Sequence, residues 1–367
     1  MIDNKNAKKI CIAIHGLAYA GAERVAASWA NYLTEHGHRV SVMVYASSED
    51  TYDLDDRVRV IPLADTRELY FHMSKVKQLS CIRKVIRKEK PQVLISFLPK
   101  MQISVMLATL GMRMKRLETV RNNPWIDTDV SGKRFLWNLC FRRSDIILVQ
   151  TKEQSEYFSK RLQKKCVVIS NPIAENFLKQ KKIYGSEKRS RFVAVARINT
   201  QKNYPMMIRA FAQAVKKDPS CTLDIYGAGS PEKIQSIQEL IVQLGMEERI
   251  QLCGWRRDIS DILTQYDAFL MSSNYEGMPN ALAEAMSAGL VCLSTDCKTG
   301  PKDMIESGKN GILAKAGDVG SFAEGIKTII NMDQQQRAAM GSLARSSILE
   351  MCSEKNTLAR LKQLIET

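Results

Sequence analysis

The chain has 367 residues, 45% of them apolar, which is too long for one ordinary hydrophobic core and makes two domains the expectation. No apolar run approaches the ~18 residues of a membrane span, and the run at 10–14 behind Lys5, Lys8 and Lys9 is shorter than a signal-peptide core, so it reads as a first buried strand. The net charge of +15 is uneven: residues 1–186 hold 32 Lys and Arg against 18 Asp and Glu (+14), residues 187–367 hold 22 against 21 (+1), which suggests that one half meets nucleic acid or membrane headgroups. Nine scattered cysteines without a C-x-x-C pair, and four histidines of which only His36 and His38 cluster, give no disulfide framework and no zinc signature. They fit the buried, reduced thiols of a cytosolic protein.

In chain order, strands are predicted at 10–14, 40–44, 58–61, 93–97, 117–120, 146–149 and 167–169, with helices at 22–35, 76–88 and 133–141. This is the rhythm of a parallel, doubly wound sheet. Asn171-Pro172 marks a turn, and the polar, charged residues 179–190 are the linker candidate. The second half repeats the rhythm, with strands at 191–196, 223–226, 250–253, 268–271 and 291–294. Its helices run from Asn203 and Pro205 to about residue 217, at 234–244 and 259–265, and from Ser321 to the end.

The run from Ser272 to Gly289 carries two glutamates, Glu276 and Glu284, with seven residues between them. Glu276 lies in a loop, because Gly277 and Pro279 follow at once. Pro279 and Asn280 open a helix that Gly289 ends. The first N–H groups of such a helix have no internal partner, and its dipole favours anions. Phosphate at this end with hydroxyls for the carboxylates is what a nucleotide-sugar presents.

The run resembles the donor-site motif of retaining glycosyltransferases of family GT4, with Glu, seven residues, Glu and the same small residues between. Other segments match in order along nearly the whole chain. The resemblance implies an α/β GT-B fold, two Rossmann-like doubly wound domains facing a central cleft. An acceptor-side domain would occupy 1–180 and a nucleotide-sugar donor domain 188–350, with residues 351–367 forming a helix, near 356–365, that crosses back to the first domain.

The segment from Gly16 to Arg24 follows the first strand and opens a helix, without the dinucleotide-binding spacing. It resembles the Gly-Ala-Glu-Arg segment of GT4 proteins, which assigns Gly21 to the donor site; Glu23 and Arg24 read as first-turn helix charges. Arg197 ends a strand and Lys202 precedes a helix. Two cations five apart around such a loop are either exposed loop charges or a clamp for a diphosphate, Arg as a planar fork and Lys as a point charge, that neutralises it as it leaves; the resemblance implies the clamp. The family holds its donor phosphates there. Gly227 and Gly229 turn the chain at a carboxyl edge, where open α/β sheets bind ligands. Gly254-Trp255-Arg256 flanks the nucleobase in the family, so Trp255 or Arg256 stacks on uracil, unless Trp255 is simply a packed indole. By the same resemblance Glu284 bonds the ribose hydroxyls and Glu276 sits near the transferred sugar. Gly277, Met278, Pro279, Asn280 and Ala281 then line the sugar and phosphate pocket.

Many GT4 enzymes carry a histidine after a strand of the first domain, facing the donor sugar. Here the sequence reads Thr119-Val120-Arg121-Asn122-Asn123-Pro124, so the position falls on Arg121 or Asn122, a pair that a subset of the family carries. A retaining hydrolase needs two carboxyl groups roughly 5 Å apart. The family instead implies front-face displacement, in which the leaving diphosphate helps deprotonate the acceptor while the protein positions and stabilises. Asp127-Thr128-Asp129 matches the metal triplet of the other large glycosyltransferase fold, but it follows a Pro-Trp loop and reads as solvated. No metal or other cofactor is expected.

Residues 75–90 place Val76, Leu79, Ile82 and Ile86 at helical spacing, with Lys77, Arg83, Lys84, Arg87 and Lys88 around them. This is either a core-facing helix with a solvated basic face or a surface helix on anionic lipid. Arg113, Lys115, Arg116, Arg142 and Arg143 add to the charge of the same domain. The run from Thr295 to Pro301 resembles bacterial members that build surface polysaccharides or lipid-linked oligosaccharides. The expected protein is therefore cytoplasmic and peripheral on the inner membrane face. It would move a hexose or N-acetylhexosamine from a UDP-sugar, UDP-N-acetylgalactosamine or UDP-galactose among them, to a lipid-linked glycan. The rival is a non-catalytic nucleotide- or nucleic-acid-binding protein. It leaves the donor motif unexplained, and no helix-turn-helix, zinc finger or RNA-binding aromatic signature is present, so nucleic acid is not an expected partner.

Overall fold

The computed structural model describes residues 7–18, 21–47, 52–126, 132–185, 190–216, 218 and 220–367. It consists of two units, one of Met1–Pro172 with Glu354–Thr367, the other of Ile173–Ser353. The triplet Asp127-Thr128-Asp129 lies outside the described residues.

The first unit is built on seven parallel strands: β1 (Lys9–Ala13), β2 (Arg39–Ala46), β3 (Arg59–Ala64), β4 (Val93–Ser96), β5 (Lys115–Thr119), β6 (Ile146–Val149) and β7 (Cys166–Val168), in the order β3-β2-β1-β4-β5-β6-β7. Both faces are covered, which is why the strands read as unbroken apolar runs. On one face Ile10 and Ile12 pack with Val25, Trp29 and Leu33 of the helix Gly21–Glu35. On the other, Cys11 and Ala13 pack with Ile82 and Ile86 of the helix Lys75–Glu89 and Met101 and Val105 of the helix Pro99–Ala108. Of the apolar stripe predicted for residues 75–90, Ile82 and Ile86 are buried, but Val76 is 79% exposed. The chain's last helix, Leu358–Glu366, belongs to this unit, with Leu361 and Ile365 in the Trp29 core. Its terminal carbonyls, which have no partner within the helix, accept from lysines: Ile365 O and Glu366 O from Lys8 Nζ (2.6 and 2.9 Å), and Leu364 O from Lys115 Nζ (2.6 Å).

The second unit has six parallel strands: β8 (Arg191–Val195), β9 (Thr222–Tyr226), β10 (Ile250–Gly254), β11 (Ala268–Met271), β12 (Val291–Thr295) and β13 (Ile312–Ala314), in the order β10-β9-β8-β11-β12-β13. The helices Tyr204–Ala214 and Val319–Asn331 cover one face, and Asn280–Ala288 with Gln334–Met351 the other. The chain passes between units at Asn171-Pro172, the predicted turn. Of the stretch expected to be the linker, the described residues 179–185 are instead fastened to the second unit through Tyr184. Tyr184 is 9% exposed, and its hydroxyl accepts from Val291 N (2.9 Å) and lies 3.1 Å from both Asp267 O and Gly289 O. One aromatic ring with a satisfied hydroxyl outweighs the polar composition around it.

One buried carboxyl in the first unit makes a prediction. Glu118 in β5 is 3% exposed, and its Oε2 has no hydrogen-bond partner among the described residues. The Arg116 guanidinium, on the same side of the strand, is occupied by Thr109 Oγ1 (2.7 Å), Thr109 O (3.1 Å) and Met112 O (3.2 Å). Burial pushes the Glu118 pKa from 4.5 up to about 8, against the smaller pull of Arg116 and Gln102. The folded state therefore keeps a proton that the unfolded chain releases as pH rises past 4.5. Stability is lost progressively from pH 4.5 to 8 and is flat above. Glu118→Gln should remove that slope and gain on the order of 1–4 kcal/mol over wild type at pH 8.5 relative to pH 4.5. Urea unfolding across this range checks it, and parallel curves for the two proteins would refute a neutral Glu118.

Candidate functional site

All strands of the second sheet are parallel, so their carboxyl ends share one edge. Along it stand Trp255 after β10, Gly227 and Gly229 after β9, Arg197 and Lys202 after β8, residues 272–279 after β11 and residues 296–301 after β12. Chain direction across the sheet reverses between β8 and β11. A crevice opens at such a switch point, and ligands bind there.

The two loops that flank this point are tied together. Lys202 ends a single 3₁₀ turn, Thr200–Lys202, that Asn199 caps by accepting from Lys202 N. Lys202 Nζ reaches Glu276 Oε1 at 2.5 Å, with side-chain exposures of 17% and 7%. Ser273 Oγ donates to the same oxygen (2.6 Å), and Gln201 Nε2 donates to Glu276 Oε2 (3.4 Å) and to Tyr275 O (2.9 Å). Ser272 Oγ donates to Lys202 O (2.7 Å), and Asn274 N to Gln201 O (2.8 Å). From the β12 side, Thr295 Oγ1 donates to Ser273 O (2.7 Å) and Thr299 Oγ1 to Glu276 O. Thr299 itself has φ 67°, unusual for a β-branched residue, and Gly300 beside it has φ 94°. A Cβ on Gly300 would lie 2.6 Å from Gly277 O and 2.7 Å from Pro279 Cδ. Gly277, Met278 and Pro279 are thus held from behind. Met278 is buried, and Pro279 leads into the helix Asn280–Ala288, which has no side-chain cap at its start and closes on Gly289 at φ 81°. Ala281 lies in its first turn and Glu284, 7% exposed, in its second.

The pairing of Lys202 with Glu276 is absent from the sequence reading, which placed one on phosphate and the other on sugar. Ser273, Gln201 and Thr299 were missed as well. Seventy-four residues separate Lys202 from Glu276, and only the strand order brings them together. Arg197 does not join this cluster. It is exposed, and no hydrogen bond or ion pair engages its guanidinium among the described residues. Trp255 is 55% exposed, so it is not a packed indole; Arg256 is held by Asp258, with Nε to Oδ1 at 2.9 Å. Gly227 and Gly229 are demanded by the close approach of residues 196–198, since a Cβ would come to 1.9 Å from Ala196 O at the first and 2.8 Å from Ile198 Cβ at the second. Burial pushes the thiol of nearby Cys297 up to about 12, so it stays protonated.

In the first unit the chain order reverses between β1 and β4. Gly21 is the exposed first residue of the helix Gly21–Glu35. Leu98, just past β4, has φ 65°. Arg121, just past β5, turns its guanidinium onto the rings of Trp29 (4.5 Å) and Phe97 (4.8 Å). Its Nη1 donates to Asn171 Oδ1 (3.1 Å), which also accepts from Gln150 Nε2 (2.9 Å), while its Nε is buried without a partner among the described residues. Burial pushes its pKa down to about 9, which leaves it charged at neutral pH. Asn122 Oδ1 accepts from Asn123 N (2.9 Å). Among the described residues no group of three or more His, Cys, Asp or Glu is arranged to hold a metal, and no helix is long and apolar enough to cross a membrane.

Two family models match the chain: Glycosyltransferase Family 4 over residues 19–177 and Glycosyl transferases group 1 over residues 176–347. An uncharacterized glycosyltransferase of Methanocaldococcus jannaschii is 29% identical over 253 residues, 63% of this chain and 62% of that protein, so that match spans less than two thirds of the relative. A Campylobacter jejuni α-1,4-N-acetyl-D-galactosaminyltransferase, whose name gives a glycan on undecaprenyl diphosphate, is 24% identical over 88% of this chain and 89% of its own. The Anabaena protein HepE, solved with UDP and glucose, superimposes with a TM-score of 0.80 at 18% identity, covering 98% of this chain and all of that one. Two parallel-sheet units, matched together over residues 19–347 by models that meet near the junction between them, make this chain a member of the GT4-type glycosyltransferases with the GT-B fold.

Proposed function

We propose that this glycosyltransferase retains anomeric configuration and moves a hexose or N-acetylhexosamine from a UDP-sugar to a lipid-linked or surface-polysaccharide acceptor at the cytoplasmic membrane face. The observation that carries the donor assignment is the Lys202–Glu276 pair astride the switch point, next to the uncapped start of the helix Asn280–Ala288. On this reading a diphosphate lies against the first turn of that helix, near Ala281, and draws on Lys202 and the unengaged Arg197. Glu284 takes the ribose, and the exposed Trp255 stacks on the base. Glu276 already accepts from Lys202 and Ser273 through Oε1, which supports an orienting role and a front-face reaction over a protein nucleophile. Arg121 is a fixed charge without a carboxylate partner among the described residues, suited to an anionic ligand group, and Asn122 supplies the hydrogen-bonding side chain of the pair.

UDP is favoured by the UDP-bound solved neighbour, and the lipid-linked acceptor by the C. jejuni relative's name together with the basic first half. The helix Lys75–Glu89 turns Val76, Lys77 and Lys84 outward, a composition that suits anionic lipid. With cations on the leaving group, the reaction needs no divalent metal.

The test is UDP release from a panel of UDP-sugars, with and without a bacterial lipid-linked oligosaccharide extract. Release from one donor, raised by the extract and indifferent to EDTA, is expected. Glu284→Ala should raise the KM for that donor at least tenfold, with the fold intact by circular dichroism. Silence from every UDP-sugar alongside turnover of a GDP- or ADP-sugar would refute the donor, and wild-type kinetics in Glu284→Ala would refute the ribose contact.

A further inference from the structure

The far edge of the seven-stranded sheet, away from Leu98 and Arg121, holds a feature that sugar transfer leaves unused. β1 opens on Lys9, β2 on Arg39 and β3 on Arg59; Pro91 lies just before β4 and Arg113 just before β5. Because the strands are parallel, all five positions share the amino edge. Two cavities open there and meet at Pro91. One, of about 600 Å³, is lined by Lys9, Arg39, Arg57, Arg59 and Lys88 with a single carboxylate, Glu89. The other, of about 840 Å³, is lined by Arg83, Arg87, Lys90 and Arg113 with none.

Some of this charge is answered locally. Arg59 pairs with Glu89, Arg57 with Asp55, and Arg83 Nη1 donates to Ala108 O (2.7 Å) and Leu110 O (3.1 Å). The side chains of Lys9, Arg39, Arg87, Lys88, Lys90 and Arg113 have no hydrogen bond or ion pair among the described residues. Arg87, Lys88 and Lys90 suit the negative end of the helix Lys75–Glu89 and need no ligand. Lys9, Arg39 and Arg113 have no such reason. Lys9 and Arg39 are register partners on adjacent strands, an arrangement in which like charges repel. A concave surface with these charges around it concentrates positive potential.

We propose that the two cavities form a binding site for a ligand with clustered phosphate charge, separate from the site of sugar transfer. Three cations without a local counterpart among the described residues, Lys9, Arg39 and Arg113, with three more at the adjoining helix end, exceed what a single phosphate would use. Soluble polyphosphates and anionic lipid headgroups both present this chemistry. The inference rests on charge placement in one unit and stands whether or not the donor assignment does.

The experiment uses the full chain, with inorganic tripolyphosphate by calorimetry and vesicles of phosphatidylglycerol and phosphatidylcholine against phosphatidylcholine alone by co-sedimentation. Wild type should bind at least one anionic probe, more weakly as salt rises. Lys9→Glu and Arg113→Glu should each weaken that binding at least tenfold. Lys9→Glu also turns a like-charge pair into an opposite-charge one, so its Tm should not fall, which separates lost binding from lost fold. Binding of tripolyphosphate alone would name a soluble ligand, and binding of vesicles alone a headgroup; both support the site. Failure of both probes, or equal binding by wild type and variants, would overturn it. Vesicle binding abolished by Lys77→Glu with Lys84→Glu but untouched by Lys9→Glu would overturn it too, while leaving the membrane-facing helix in place.

Discussion

Lys202→Met should lower kcat/KM for the nucleotide-sugar by about 10²–10³-fold, the scale of losing a charge that stabilises a leaving group. Two effects are mixed in that change. Lys202 and Glu276 are an almost buried pair, so removing the lysine leaves a carboxylate with Ser273 and Gln201 but no counter-charge. Breaking a fully buried pair costs about 3–5 kcal/mol; with Lys202 17% exposed, about 1–3 kcal/mol is the expected loss, some 2–10 °C in Tm. Adding Glu276→Gln to Lys202→Met separates the two effects. The double variant should recover most of the Tm and none of the activity, because the orphaned charge is gone while the phosphate partner is still missing. Activity within threefold of wild type in Lys202→Met, or activity restored in the double variant, would show that the pair only holds two loops together.

The second large effect is structural. Gly227→Ala should destabilise by about 4 kcal/mol or more, a Tm loss of roughly 8–16 °C. Its Cβ would stand 1.9 Å from Ala196 O and 2.8 Å from the Ala196 carbonyl carbon, and backbone cannot step aside as a side-chain tip can. Ala196 O also accepts from the Tyr204 hydroxyl (2.9 Å), Ala196 N donates to Tyr226 O (3.0 Å), and Ile198 N donates to Ala228 O (2.7 Å). Moving the strand end disturbs all three, along with the turn that leads to Lys202. Gly185→Ala is the control, since a Cβ there meets nothing within 4 Å. A Tm for Gly227→Ala within 2 °C of the control would show that the two strand ends slide apart easily.

The helix Pro99–Ala108 was not read from the sequence. Seven of its ten residues are buried, so it has no polar face to give it a period. β13, three residues long, was too short to show a pattern. The run to the chain end read as helix from Ser321 breaks at Met332-Asp333, where Asp333 makes a capping box with Gln336, and again before Leu358. Arg121 was found as a candidate by position alone. Its cage of Trp29, Phe97 and Asn171 draws on three separate stretches of chain, and nothing local marks it.

The sequence by itself determined the two parallel sheets, the strand centres other than that of β13 and the glycine that ends the helix Asn280–Ala288, while Arg197, Lys202, Glu276 and Glu284 became candidates through the family resemblance of their segments. The sheets, strand centres and helix end are written in local periodicity or in the special backbone needs of Gly and Pro, which neighbours a few residues apart suffice to encode. Only the tertiary structure decided that Lys202 reaches Glu276, that Gly227 is required by Ala196, that Tyr184 fastens the expected linker and that the unanswered cations of β1, β2 and Arg113 gather on one edge. Those facts follow from the order of strands within each sheet. That order is settled by which apolar faces cover one another over long sequence separations, and a local pattern carries no record of it.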